Sequence, residues 1–454
     1  MRTYIIQPDP NWLLDAIRNQ PNNGLLRYRG IKGSPTIHVT DPSFRRAVLS
    51  TQAYSDFEKP LHTRQRLSTF SGEGLLVAEG DVHKTQRRQL LPAFSLQHVR
   101  SLVPLFWSKS RELVDALENH IVSSGQCEVP IYDWTSRAAL DIIGTAAWGK
   151  DFGSIADPDT DFVQRYRSLF VQPSFGKLLL QIFIPAPIAL RLPLPEMRRV
   201  KGAVRASREA AEAAVKERHE DPKQSLRKDI LSVAMRNERL DDKILVDTLL
   251  TFLAAGHETS ASAAQFACFQ LAKNPKIQER LRAEVRQHLP SLRSEQDMTA
   301  RELESLPYLR GVTLEALRMH PPVPSGERRV AIRDTVVCGH SIPAGTEIFS
   351  HAWVTNRLGW DRAEEFDPER WLGEEAEKRK YGSSGDFEFS PFSHGTRACI
   401  GAPFARLEQL ALIACLTGRF RFTLCSDPNP QMVFAVTVAP TEPIALKMEP
   451  LAGW

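Results

Sequence analysis

Cysteine is scarce in this chain. Six occur in 454 residues: Cys127, Cys268, Cys338, Cys399, Cys415 and Cys425. None stands in a Cys-x-x-Cys pair, so a zinc site is not expected. Nothing about their spacing looks like a disulfide framework, which favours a reducing compartment. Charge imbalance is small. A formal net charge of +4 is too low to point to nucleic acid, though a slightly basic surface suits an acidic redox partner. Long apolar runs are missing. The longest, Leu178 to Leu190, is interrupted by Gln181, Pro185 and Pro187, and it is too short to cross a bilayer as a helix. The first residues carry Arg2, Asp9, Asp15 and Arg18, so the chain is expected to have no signal peptide and no transmembrane anchor. It holds no internal repeat, no low-complexity tract and no flavin or nicotinamide fingerprint.

What is present centres on one stretch near the end: Ser390-Pro391-Phe392-Ser393-His394-Gly395-Thr396-Arg397-Ala398-Cys399-Ile400-Gly401. A lone cysteine is ordinarily a small buried apolar residue. This one sits in a pattern of five fixed positions, Phe-x-x-Gly-x-Arg-x-Cys-x-Gly. Gly395 allows the positive φ of a tight turn, and Gly401 lets a following helix approach closely. That helix opens at Pro403, with Phe404, Leu407, Ala411, Ala414 and Cys415 on one face. Backbone N–H groups at its start stabilise negative charge on sulfur. The loop suits a thiolate presented to a large planar metal cofactor, with Phe392 against the ring. Arg397 is placed to pair with a carboxylate of that cofactor.

Other clusters lie upstream. His83 and Arg87 are four apart and share a helix face, which suits binding of a carboxylate. Leu245 to Leu271 is a long apolar helical run with Ala254-Ala255-Gly256-His257-Glu258-Thr259-Ser260 at its middle. Ala255 and Gly256 let the helix pass close over a flat ring. Glu258 and Thr259 form an acid–alcohol pair suited to delivering protons. Glu315 and Arg318 share a helix face, and Arg370 follows in Phe366-Asp367-Pro368-Glu369-Arg370-Trp371.

These motifs, in this order from about Leu25 to the end, resemble the cytochrome P450 family, and fungal members in particular. The resemblance implies a mostly α fold with a small β lobe, in a single large domain covering residues 1–454. The β-rich lobe would take residues 25–60 with strands in 330–350 and 420–450. The helical haem-binding body would take 80–320 and 390–420. Cys399 would ligate the iron of haem b. Arg397, His83, Arg87 and Arg328 would meet the haem carboxylates; His83 replaces the Trp common in the family. Phe392, Gly395, Gly401, Ala255 and Gly256 would shape the ring site. Thr259 and Glu258 would be catalytic. Glu315, Arg318 and Arg370 would form a structural ion network, with Trp371 where Phe is common. The implied activity is a monooxygenase of secondary metabolism, inserting one oxygen atom of O2 into a lipophilic small molecule. Electrons would come from NADPH through a cytochrome P450 reductase, with cytochrome b5 as an optional second donor, on the cytosolic side of the endoplasmic reticulum. A haem-thiolate enzyme that rearranges or dehydrates without O2, and a non-catalytic haem sensor, are the alternatives.

The remaining expectations concern local structure. Asn11 to Asn19, a segment opened by Asp41-Pro42, Ala138 to Trp148 and Arg198 to His219 read as helices. Leu25–Tyr28, Thr36–Val39, Val330–Val337, His340–Ser350 and Met432–Val438 read as strands. Residues 61–80, with Gly72, Gly74 and Gly80, read as a loop bordering a substrate pocket, together with Phe252, Val323 and the strand near Val436. Leu178–Leu190 is either an access segment that dips into a membrane surface or a proline-broken stretch packed in the protein. Glu374–Gly385 reads as a charged surface loop.

Overall fold

One helix runs through the middle of the molecule, and the other elements are arranged against it. The computed structural model describes residues 11–30, 33–170, 184, 186–223, 226–236, 240–373, 387–434 and 436–454. The longer helices are α1 (Asn11–Asn19), α2 (Leu61–Ser71), α3 (Gly80–Leu90), α4 (Val103–Ser124), α5 (Ile131–Ile143), α6 (Asp161–Arg167), α7 (Pro195–Glu220), α8 (Asp242–Lys273), α9 (Pro275–His288), α10 (Pro307–Met319) and α11 (Ala402–Arg419). The strands are β1 (Leu25–Arg29), β2 (Pro35–Val39), β3 (Phe57–Glu58), β4 (Glu128–Pro130), β5 (Glu327–Ala331), β6 (Thr335–Val337), β7 (His340–Ile342), β8 (Glu347–Ser350), β9 (Phe420–Leu424), β10 (Met432–Phe434), β11 (Val438–Pro440) and β12 (Ala445–Pro450).

The central helix is α8. Asp241 caps it by accepting from the Ile244 N–H at 2.8 Å. At 1.5 Å per residue it is about 48 Å long. It is apolar on every side because α5, α7, α10 and α11 pack around it. Its close approach to α5 needs a glycine: a Cβ on Gly256 would stand 2.8 Å from the Ile143 side chain.

The β lobe draws on both halves of the chain. Its sheet has the order β1-β2-β8-β5-β3. β2 and β8 are parallel, with Ile37 opposite Ile348; β5 and β8 are antiparallel, with Arg328 opposite Phe349. Ile37, Val39, Phe44, Phe57 and Ile348 fill the space beneath. A second sheet, β4-β12-β9, packs against the helical body.

Three expectations change. Residues 61–80 are not all loop, because 61–71 form α2. Its glycines mark the end of a helix: Gly72, at φ +62°, closes α2 and donates to Ser68 O. The end of α2 is fastened to α8. Asp247 accepts from the Glu73 N–H at 2.9 Å and from Arg208 Nη2 of α7 at 2.7 Å, and Thr251 Oγ1 donates to Ser71 O. The expected strands Val330–Val337 and His340–Ser350 are each broken: residues 332–334 separate β5 from β6, and the turn at Pro343-Ala344-Gly345, with Gly345 at φ +81°, separates β7 from β8. Met432–Val438 is likewise a hairpin, β10 and β11, rather than one strand. Most of Leu178–Leu190 and Glu374–Gly385 lies outside the described residues.

Behind the cysteine loop, Glu315 has no exposed surface and takes four side-chain donors. Arg318 is bidentate, with both bonds at 2.8 Å. Arg370 Nε lies at 3.0 Å and Trp371 Nε1 at 2.8 Å. The tryptophan therefore adds a donor that phenylalanine lacks. Arg318 also donates to the carbonyls of Asn356, Ala363 and Glu365. Removing one partner of a buried ion pair costs about 3–5 kcal/mol, against a total stability of about 5–15 kcal/mol. Arg318→Ala should therefore yield little soluble protein and a sharply lowered thermal midpoint. Trp371→Phe should keep the fold at a cost of about 1–3 kcal/mol. Calorimetry on the two variants checks both.

Candidate active site

The cysteine loop is built by backbone bonds. The Cys399 N–H donates to Phe392 O at 2.9 Å, and Gly395–Arg397 form a single 3-10 turn between them. Gly395 has φ +73°, and a Cβ there would run into the Leu49 carbonyl. That position needs glycine twice over. Phe392 packs with Leu314, Trp360 and Phe389, and the Arg406 guanidinium lies over its ring.

Cys399 carries exposed surface although protein surrounds it, so its sulfur faces an internal surface rather than bulk solvent. Burial pushes the thiol up, while the Gly401 N–H and the guanidinium groups of Arg87 and Arg406 pull it down. Arg87 is fixed by donating to Ala398 O at 2.8 Å. A Cβ on Gly401 would stand 3.9 Å from the sulfur.

The middle of α8 presents the matching surface. Between Leu245 and Ala272 every residue is buried except Ala255, Gly256 and Thr259. Thr259 Oγ1 donates to Ala255 O at 2.6 Å. The next turn is locked to the helix after the cysteine loop: Ser260 Oγ donates to Glu408 Oε2, and Gln409 Nε2 donates to Ser260 O at 2.9 Å. The stripe and the sulfur are thereby held in register by direct contacts between α8 and α11.

A cationic cluster borders this surface. Arg397 pairs with Glu79, donates to Ala78 O and lies over the Tyr54 ring. His83 Nδ1 is 2.7 Å from Tyr54 Oη. Burial, then Arg397, Lys59 and Arg87, hold its imidazole down at about 3, so it is neutral. With the tyrosine donating, the ring proton stays on Nε2, available to an acceptor. Lys59 donates to Leu76 O, and burial and nearby arginines push its ammonium down.

Arg328 is not part of the cluster. Alternation along β5 turns it to the other face, over Phe349 and near Glu347. Arg329 is the residue that faces Arg397, Glu79 and Tyr54, and burial lowers its guanidinium to about 10. The strand buries Glu327, Arg329 and Ala331, a face that the sequence did not mark, since the larger apolar residues Val330 and Ile332 alternate with Arg328. Tyr54, Glu79 and Lys59 had no signal either, since remote segments bring them here.

Glu258 also departs from expectation. Its carboxylate does not meet Thr259. It accepts from Tyr132 Oη at 2.6 Å and from Thr437 Oγ1 at 3.2 Å, and burial raises it above the usual carboxylate range. Of the expected pocket residues, Phe252 packs edge-on against Phe94 in the core, Val323 is half-buried beneath Gly326, and Val436 is exposed.

Comparison with known proteins decides the family. The cytochrome P450 family model matches residues 28–448. The chain belongs to the cytochrome P450 family. The cytochrome P450 monooxygenase sphH of Aspergillus fumigatus is 39% identical over 96% of this chain and 82% of its own. FSL4 of Gibberella zeae is 34% identical over 89% and 76%, and ALT8 of Alternaria alternata 34% over 98% and 86%; both are named cytochrome P450 monooxygenases. This chain is accordingly a P450 monooxygenase of mostly α fold with a small β lobe. Its cofactor is haem with a cysteine thiolate axial ligand, and a redox partner supplies its electrons. No helix among the described residues is long and apolar enough to cross a membrane.

The residues present fit that cofactor. The buried Nε atoms of Arg329 and Arg397 have no protein acceptor, as expected of donors aimed at propionates. Cys399 and the stripe on α8 would supply the two faces. Arg329→Ala should therefore lose haem during purification, while Arg328→Ala, which gives up its contacts with Phe349 and Glu347, should retain it. Haem content per protein, measured by absorbance, separates the two.

Proposed function

We propose that this P450 inserts one oxygen atom of O2 into a lipophilic small molecule of secondary metabolism and releases the other as water, with Cys399 as the iron ligand. The observation that carries this is the stripe of exposed Ala255 with half-buried Gly256 and Thr259, fastened beside the cysteine loop by Ser260, Glu408 and Gln409. Electrons would come from NADPH through a cytochrome P450 reductase, with cytochrome b5 as an optional donor. Exposed Leu61, Ile188 and Leu194 support peripheral contact with the reticulum surface.

Haem held by Cys399, Arg397, Arg329, Arg87 and His83 would supply the redox chemistry, the thiolate favouring O–O cleavage. The protein's own residues would manage protons and exclude water. The balance is substrate, O2, NADPH and one proton giving hydroxylated product, water and NADP+. Two protons reach one oxygen atom, so a donor must stand on the stripe. Thr259 stands there, its hydroxyl oriented by the Ala255 carbonyl. Glu258, one residue back, is the acid from which it is recharged.

Two outcomes test this. Cys399→Ser should abolish the red-shifted Soret band of the reduced carbon monoxide complex; a variant that keeps the band rules out Cys399 as ligand. Thr259→Ala should bind substrate with an unchanged Soret shift and keep consuming NADPH, while product per NADPH falls and hydrogen peroxide appears. Undiminished coupling would instead make Thr259 a packing residue of α8 with no part in proton supply.

A further inference from the structure

Glu258 lies at the inner end of a cleft that opens between α5 and α6. The cleft encloses about 500 Å³, far above the ~15 Å³ that one water requires. Its outer rim carries exposed Asp159 and Gln164 and the half-buried Arg167, which pairs with Asp133 at 2.7 Å. Its inner wall is Tyr132, Ser136 and Glu258. Polar side chains thus run from the surface to a buried carboxyl one residue from Thr259.

The groups facing that carboxyl are few. From α5 comes Tyr132, the nearer donor; burial, then Glu258, push its phenol well above its ordinary value. From α6 come Tyr166, also pushed up by burial, and the cation of Arg167. The β10–β11 turn supplies Thr437. His257, beside it on α8, bonds to Ser136 at 2.8 Å, and burial holds it neutral at about 3. Among these groups Glu258 is the carboxyl at the inner end of the cleft, and burial moves its titration upward. Burial raises it; Tyr132, Thr437 and Arg167 draw it back down.

We propose that Tyr132 is a positioning residue for proton supply, holding the Glu258 carboxyl in the cleft between α5 and α6, where solvent recharges it. The tyrosine touches neither the reacting atoms nor the ring site; it acts through Glu258. The cleft reaches the acid from the α5 and α6 side of α8 and would give it its proton there. This rests on the proton-supply reading of Thr259 and Glu258 above.

The sign of the effect follows from the hydrogen bond. Tyr132 donates to the charged form of Glu258 and favours it. Tyr132→Phe removes that donor and keeps the ring, so the carboxyl should hold its proton to higher pH. The test is infrared titration of the ferric, substrate-free holoenzyme, with the protonated-carboxyl band assigned by its loss in Glu258→Gln. In Tyr132→Phe the midpoint of that band should move up, and the pH profile of product per NADPH should move the same way, with the substrate-induced Soret shift unchanged. In native protein the band should shift within the mixing time on transfer to D2O.

If Tyr132→Phe does not fold, Arg167→Gln at the rim removes a cation and should raise the midpoint likewise. An unmoved midpoint in whichever variant folds overturns the proposal. A midpoint that moves while the coupling profile stays put also overturns it, leaving the role of Thr259 intact. A band that exchanges only as slowly as global unfolding overturns the cleft as solvent route. Full coupling in Thr259→Ala removes the proton-supply reading itself, whatever the infrared midpoint does.

Discussion

A carboxylate with no access to water must find every donor inside the protein, and much of this structure depends on how Glu315 does so. Its partners Arg318, Arg370 and Trp371 tie α10 to the irregular segment that follows the β lobe. The tie continues outward. Arg318 donates to Asn356 O, and Asn356 accepts from the Ser390 N–H at 3.0 Å, where the cysteine loop begins. Ser390 in turn accepts from Arg45, whose guanidinium pairs with Glu327 at the start of β5. One chain of ion pairs and hydrogen bonds thus links the helical body, the cysteine loop and the β lobe. A gap at either of its ion pairs would leave an ion buried and unpaired, which is far costlier than a missing surface pair.

The same bookkeeping explains the character of the ring site. Lys59, Arg329 and Arg397 converge there; Glu79 faces all three, with Glu327 beside Arg329 and Glu58 beside Arg397. Such a cluster is repulsive on its own, which is why the nearby histidine stays neutral. It is a sensible arrangement only for a site built to receive anions. Opposite it, α8 is stripped to alanine, glycine and threonine. Positive charge at the rim and small side chains over the face together describe a flat, anionic, apolar guest.

The parts legible in the sequence were those set by local chemistry. The cysteine loop is a fixed pattern of residue types, and Gly395 meets a constraint that can be read before any fold is known. The length of α8 and the spacing of Glu315 and Arg318 were equally plain. What escaped was decided by distant segments. The facing of Glu258 depends on Tyr132 and Thr437, more than a hundred residues away on either side. Arg328 was chosen over Arg329 because a motif was matched, and alternation with Val330 and Ile332 would have pointed the same way; the buried face is set by the packing of the sheet. Helix α2 was taken for loop because it is polar on all sides and followed by glycines; what fixes it is the contact of its last turn with α8.

That contact has a consequence for how the distal side can evolve. Asp247 serves two masters, the end of α2 and Arg208 of α7. Segments that border the pocket usually drift fastest, since each new substrate reshapes them. Here α2 and α7 share one anion. A change that withdraws either partner strands a buried charge for the other, so α2 and α7 must drift as a pair. Diversification on this side should then proceed through the residues between the anchor points, with the latch itself carried along unchanged.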